Sequence, residues 1–295
     1  MRRSVPRVAR PLSTVVTVDA PERPIILIGC PRSGTSALLQ AFLRSRELAS
    51  VQLEGHILWD EFHPKKRRVI DSDALRAEDA SEREREYVYL AISMFGRGRR
   101  FVDKTPENTL RIPYLDALFP DATFVFLRRR AADNVNSLIE GWRARPRFLT
   151  YRLPEPLERI APLDGNLWSF ALIPGWRSLR HAPLEEICAQ QYVVCNESVL
   201  AAKAAMDPTR WRELSYEGFV ASPVDELRRL FESLGIGWSD TVERYARELD
   251  RRPSATAVTP PRPDKWREQN PELIARILPL VAETERRLGY SASTA

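Results

Sequence analysis

Apolar positions in this chain fall into short runs, each closed by a polar turn and followed by a stretch of helical period. The strand candidates are Ile25 to Ile28, Phe101 to Val102, Thr123 to Leu127 and Trp211 to Ser215. Thr123 to Leu127, a β-branched and aromatic run bounded by Pro120 and a charge cluster, predicts a buried strand. Helical spacing of apolar residues predicts helices over Ser36 to Arg44, Ser81 to Phe95, Ala131 to Gly141, Leu184 to Met206, Val224 to Leu234 and Pro271 to Leu288. Strands alternating with helices predict an α/β fold, a parallel sheet with helices on both faces. The pattern fails between Trp142 and Pro183, where Pro146, Pro154, Pro156, Pro162 and Pro174 interrupt it and Trp168, Phe170 and Trp176 are interspersed. An irregular stretch of this length is expected to serve as a lid, here residues 142–183 over an acceptor, or as a plain scaffold insertion.

The first strand runs into PIILIGCPRSGTSALLQAF, Pro24 to Phe42. Strand, Gly/Pro/Ser turn and helix start together make a phosphate loop, whose backbone N–H groups and helix dipole attract an anion. Gly29 and Gly34 keep the spacing of the nucleotide-hydrolase loop G-x-x-x-x-G-K-[ST], but Thr35 stands where its lysine belongs and Arg32 sits inside the loop. Without that lysine the loop is expected to hold a nucleotide phosphate beside a different transferring group. A second strand and helix, FPDATFVFLRRRAADNVNSLI from Phe119 to Ile139, place Arg129 at the strand end and Ser137 two turns into the helix, with Asp133 midway. One guanidinium and one hydroxyl could converge there on a second phosphate.

PRSGTS at Pro31 to Ser36 and LRRRAADNVNS at Leu127 to Ser137 resemble the two cofactor loops of the sulfotransferases that use 3′-phosphoadenosine 5′-phosphosulfate. The resemblance extends to DKTPEN at Asp103 to Asn108, LSYEGFVASPVDELRRLFESLGI at Leu214 to Ile236 and DKWREQNPEL at Asp264 to Leu273, ending in RRLGY at Arg286 to Tyr290. It is strongest to the bacterial and tyrosylprotein branch. It implies a P-loop NTPase-like α/β fold with a lid insertion. By residue-to-residue match it assigns Arg32, Ser33, Gly34, Thr35 and Ser36 to the 5′-phosphosulfate, and Arg129 and Ser137 to the 3′-phosphate. Arg128 and Arg130 flank Arg129 and leave open which guanidinium meets that phosphate. Cys30, before the loop proline, and Arg130, in place of an acid-proline pair, depart from the family pattern.

The same resemblance implies that Lys104 lies near the bridging oxygen and sulfate, sharing with Arg32 the charge that develops in transfer. Glu54, in SVQLEGHILWDEF, matches the glutamate base of the tyrosylprotein branch, and His56 is the rival base. Tyr216 matches a tyrosine near the adenine, and Lys265 and Trp266 match a segment that closes over the nucleotide, with Arg262 as a possible partner. The implied reaction moves a sulfuryl group to a hydroxyl or amine of a small-molecule, glycan or lipid acceptor and releases adenosine 3′,5′-bisphosphate, with no metal required. A P-loop kinase and a basic nucleic-acid-binding protein are the competing readings; Thr35 counts against the first and the absence of any nucleic-acid motif against the second.

Composition changes this picture little. The chain has 295 residues, 43% hydrophobic and 29% charged, without a Gly/Ser linker, so residues 24–295 are expected to form one domain behind a flexible arm of residues 1–23. A net charge of +5 suits a polyanionic cofactor. No run of about 18 apolar residues occurs, so no integral membrane segment is expected. The three cysteines Cys30, Cys188 and Cys195 lack metal spacing and are expected as buried reduced thiols in a cytoplasmic, bacterial protein.

Overall fold

The computed structural model describes residues 19–51, 58, 61–64, 71–144, 147–160, 165–249 and 262–291. The arm expected over residues 1–23 therefore lies largely outside them. Five strands form a parallel sheet in the order β2-β3-β1-β4-β7: β1 (Ile25–Ile28), β2 (Leu48–Ala49), β3 (Arg100–Lys104), β4 (Thr123–Arg128) and β7 (Trp211–Ser215). Side chains alternate across the strands, and both faces are buried. Ile26, Ile28, Phe124 and Phe126 join one core, Ile25, Leu27, Val125 and Leu127 the other.

The first core is covered by α2 (Glu82–Gly96), α3 (Ile112–Leu118), α4 (Ala131–Arg143), α5 (Leu184–Ala205) and α10 (Pro271–Arg287). The second is covered by α1 (Thr35–Phe42), α6 (Tyr216–Ala221), α7 (Pro223–Ser233) and α8 (Asp240–Arg247). A one-turn helix, α9 (Trp266–Gln269), precedes α10. None of the described helices is long and apolar enough to cross a membrane.

The irregular region is more ordered than its prolines suggest. An antiparallel hairpin of β5 (Leu149–Arg152) and β6 (Leu167–Ser169) is followed by a short 3₁₀ turn at Trp176–Leu179. Trp142, Trp168 and Trp176 are buried in the first core, Trp142 as part of α4, so these indoles are packing residues. Asp73 ties the hairpin down. Its carboxylate accepts from Arg111 Nη2 at 2.9 Å, from the Leu172 amide at 2.7 Å and from the Tyr151 hydroxyl.

Strand order fixes where a ligand can bind. The chain leaves β1 toward the β2 and β3 side and returns to add β4 on the other flank, so β1 marks the point at which the direction reverses. In open parallel sheets ligands bind beyond the strand carboxyl ends at that point. The loops after β1, β3 and β4 meet there.

Candidate active site

The loop after β1 is held by close approach. A Cβ on Gly29 would sit 2.4 Å from Ser33 Oγ and 2.8 Å from the Leu127 carbonyl, so the loop can lie against β4 only with glycine there. Arg32 and Gly34 both have positive φ, 72° and 105°. Gly34 ends the loop in the left-handed region as the N-cap of α1 and makes no side-chain cap. As at any helix start, the first-turn N–H groups of Thr35 and Ser36 lack an intrahelical partner, the arrangement that binds anions. Among the described residues, the buried Ser33 Oγ has no hydrogen-bond partner.

The loop after β4 meets it through Arg129. This guanidinium donates to the Arg32 carbonyl at 2.8 Å and stacks 4.0 Å from the centroid of the Tyr216 ring, and its buried Nε has no partner among the described residues. The register explains the stacking: Arg128 pairs with Ser215, which sets the next residues of both strands side by side. Arg128 and Arg130 turn the other way. They lie 5.1 and 5.0 Å from the Tyr290 ring, and Arg128 donates to the Leu288 carbonyl. Only the middle arginine of the triplet reaches the loop.

Arg32 closes the gap between the loops. Its Nε donates to Ser137 Oγ at 3.3 Å, and its guanidinium lies 4.8 Å from the Phe148 ring of the hairpin and 6.0 Å from that of Phe170. Burial, then Arg129 and Arg147, push its pKa down to about 10. Lys265 is lowered too, by burial and then by Arg129 and Arg262. Asp133, in the first turn of α4, is raised by burial against the pull of Arg129. Cations from three separate segments thus repel one another in a partly desolvated space, an arrangement that an anion with several charges relieves.

Lys104 is the last residue of β3, 3% exposed and opposite Leu27 of β1, at the same strand edge as the loop. Asp103 beside it accepts from Asn108 Nδ2 at 2.6 Å, which shapes the turn after the strand. Trp266 is buried in the first core at 6% exposure, and Lys265 stands just ahead of it as the N-cap of α9. Glu54 and His56, the candidate bases, lie outside the described residues. Cys30, Cys188 and Cys195 are buried free thiols, and burial, with Cys195 next to it, pushes Cys30 well up.

Phe170 is one of the aromatics of the irregular stretch expected as a lid, whereas Arg147 and Phe148 carry no signal in the sequence pattern. Phe148 and Phe170 stack on each other at 5.3 Å between centroids, and the Phe170 ring fills the space that a Cβ on Gly141 of α4 would need. Their approach to Arg32 depends on the fold of the hairpin, and residue spacing carries no trace of it.

A parallel sheet with a glycine-bent loop between its central strand and a helix, and a cationic cluster beside it, defines the P-loop-like α/β class. The profile of the sulfotransferase family matches residues 24–240, and the chain belongs to that family. The omega-hydroxy-beta-dihydromenaquinone-9 sulfotransferases Stf3 of Mycobacterium bovis and Mycobacterium tuberculosis are each 27% identical to it over 143 residues, 48% of this chain and 30% of the relative. The chain therefore matches less than a third of the length of these relatives. Among solved structures, sulfotransferase STF9 from Mycobacterium avium superposes with a TM-score of 0.60 at 16% identity, over 94% of this chain and 79% of that one. Mouse sulfotransferase SULT7A1 complexed with PAP gives 0.51 at 15% identity, over 92% and 86%. Both likenesses establish the shared fold.

Proposed function

We propose that the protein transfers a sulfuryl group from 3′-phosphoadenosine 5′-phosphosulfate to a hydroxyl or amine of a small-molecule, glycan or lipid acceptor. The observation that carries this reading is the joining of two anion loops by Arg32 and Arg129, which bond across from one loop to the other beside Lys265. The donor fits the residues present: Ser33 Oγ and Arg129 Nε are buried donors without partners among the described residues, and the glycines leave no room for side chains where the loop bends. Gly34, Thr35 and Ser36 would offer backbone N–H groups to the 5′-phosphosulfate, with Ser33 and Arg32 beside them. Arg129 and Ser137 would hold the 3′-phosphate, Lys265 would approach it from the C-terminal segment, and Tyr216 would wall the nucleoside with Trp266 packed behind.

The donor supplies an activated sulfur bonded through oxygen to a phosphate. In transfer, the acceptor's oxygen or nitrogen would bond to that sulfur as the bond from sulfur to the bridging oxygen breaks, releasing adenosine 3′,5′-bisphosphate, and the acceptor's proton would pass to the base. Arg32 and Lys104 stabilise the charge that builds on the moving group and on the leaving oxygen. Glu54 accepts the acceptor proton, with His56 as the alternative base. The menaquinone derivative in the name of the mycobacterial relatives supports an acceptor of the small-molecule or lipid kind. Three free, buried thiols support a reducing, cytoplasmic setting.

The test is a thermal-shift panel of adenosine 3′,5′-bisphosphate, ATP with magnesium, and duplex DNA. A ligand at about 100 times its Kd adds roughly 2.7 kcal/mol to stability, so a specific shift is easily read. Stabilisation by the bisphosphate alone supports the proposal. Stabilisation by ATP alone or DNA alone replaces it with kinase or nucleic-acid binding.

A further inference from the structure

One face of α4 carries a ladder of polar residues, Asp133, Asn136, Glu140 and Arg143, spaced three or four apart as neighbours on a helix are. Three of its rungs, Asn136, Glu140 and Arg143, bond to the segment 264–270. Asn136 donates to Gln269 Oε1 at 2.8 Å and accepts from Asn270 Nδ2 at 2.7 Å. Asn270 Nδ2 also donates to Glu140 at 3.1 Å, and Arg143 donates to Asn270 Oδ1 at 2.7 Å.

Asn270 is the informative member. It stands at the N-cap of α10, where an asparagine side chain ordinarily accepts from its own helix, yet it makes no such cap. Its whole carboxamide is turned sideways onto α4. Asn136 and Asn270 are 3% and 5% exposed, and burying two amides is tolerated only because the network satisfies them. The apolar contact of Trp266 and Ile274 with the core already holds this segment down. What hydrogen bonds add is direction, because apolar contact does not fix rotation and they do.

The group whose direction they fix is Lys265. It is the N-cap of α9, its carbonyl accepts from the Gln269 amide at 3.0 Å, and Gln269 is itself held by Asn136; burial, and then the charges of Arg129 and Arg262, lower its ammonium's pKa. Asn136 is also the immediate neighbour of Ser137, whose hydroxyl faces the loop. We propose that Asn136 and Asn270 are positioning residues whose hydrogen bond latches the 264–270 segment to α4 and holds Lys265 at the second phosphate. The inference rests on the nucleotide reading given above.

The test is a double-mutant cycle read by calorimetry with adenosine 3′,5′-bisphosphate and with 5′-AMP. Asn136→Leu keeps side-chain size and removes the latch from the α4 side; Asn270→Ser removes it from the other side while leaving a residue that can cap α10. Either variant should bind the bisphosphate about tenfold more weakly and 5′-AMP nearly unchanged, as loss of one charge-assisted contact predicts. Added to Lys265→Met, either should cost little more, because the latch acts through that ammonium. Fully additive losses, equal loss for 5′-AMP, or unchanged bisphosphate affinity in a well-folded Asn270→Ser protein would overturn the latch alone. Failure of the unaltered protein to bind the bisphosphate would instead bring down the nucleotide reading, and the latch with it.

Discussion

Arg129 stands between two arginines of identical chemistry, and what separates them is the position of residues far along the chain. Tyr290 draws Arg128 and Arg130 away, and Tyr216 draws Arg129 in. The triplet itself contains no sign of this, because neither tyrosine is near it in sequence. Removing Arg129 deletes a contact worth about 1.5–3 kcal/mol to a charged ligand. Arg129→Ala should therefore weaken adenosine 3′,5′-bisphosphate by roughly one to two decades and leave 5′-AMP nearly unchanged in calorimetry, whereas Arg128→Ala should lower thermal stability more than affinity. Equal loss for both nucleotides in Arg129→Ala would move the 3′-phosphate elsewhere. For the base, Glu54→Gln keeps the side-chain size and should cost about 10²–10⁴ in single-turnover sulfuryl transfer, with bisphosphate affinity retained. His56→Asn should cost far less; the reverse order would make His56 the base.

At the scale of elements, β1 and β4 were readable because a strand buried in a parallel sheet is a continuous apolar run; β3 carries that run only at Phe101 and Val102, and the edge strand β7 shows it only at Trp211 and Leu214, either side of Arg212 and Glu213. What escaped has a physical reason in each case. The two residues of β2 are too few to form a pattern. Pro113 makes the stretch before Leu118 look broken, yet proline in the first turn is compatible with a helix, and α3 starts just ahead of it. In α8 only Val242 and Ala246 are buried, too narrow a stripe to announce itself. The β5 and β6 hairpin is hidden by the prolines around it and is ordered by Asp73 from outside its own sequence. The phosphate loop was the most legible element, since glycine spacing reports backbone geometry directly. Gly34→Ala tests that geometry: a φ of 105° and a Cβ 2.7 Å from the Tyr216 ring combine strain with a clash. It should destabilise the protein by about 1–3 kcal/mol and abolish the thermal shift with bisphosphate.

For the whole molecule, the coupling of hairpin to sheet rests on a charge pair that sequence spacing could not have revealed. Asp73 and Arg111 are both fully buried, and Arg111 Nε also donates to the Asp73 carbonyl at 3.0 Å. Removing one partner leaves the other charge uncompensated in the interior, a loss of about 3–5 kcal/mol. Asp73→Ala should show that loss in urea denaturation and should expose the hairpin to limited proteolysis. Replacing both, with Asp73→Leu and Arg111→Met, should recover part of it and not all, since the Tyr151 hydroxyl and the Leu172 amide are left without their acceptor. The hydroxyl adds a pH signature. Burial, and then the neighbouring Asp73 carboxylate, raise the Tyr151 phenol far above its ordinary value near 10. Its protonated form is therefore favoured in the folded state, and the stability it contributes is complete below about pH 10 and lost as pH rises above that value. Urea midpoints measured up the alkaline limb should fall more steeply in the unaltered protein than in Tyr151→Phe, and parallel limbs would show that the phenol is not coupled to folding.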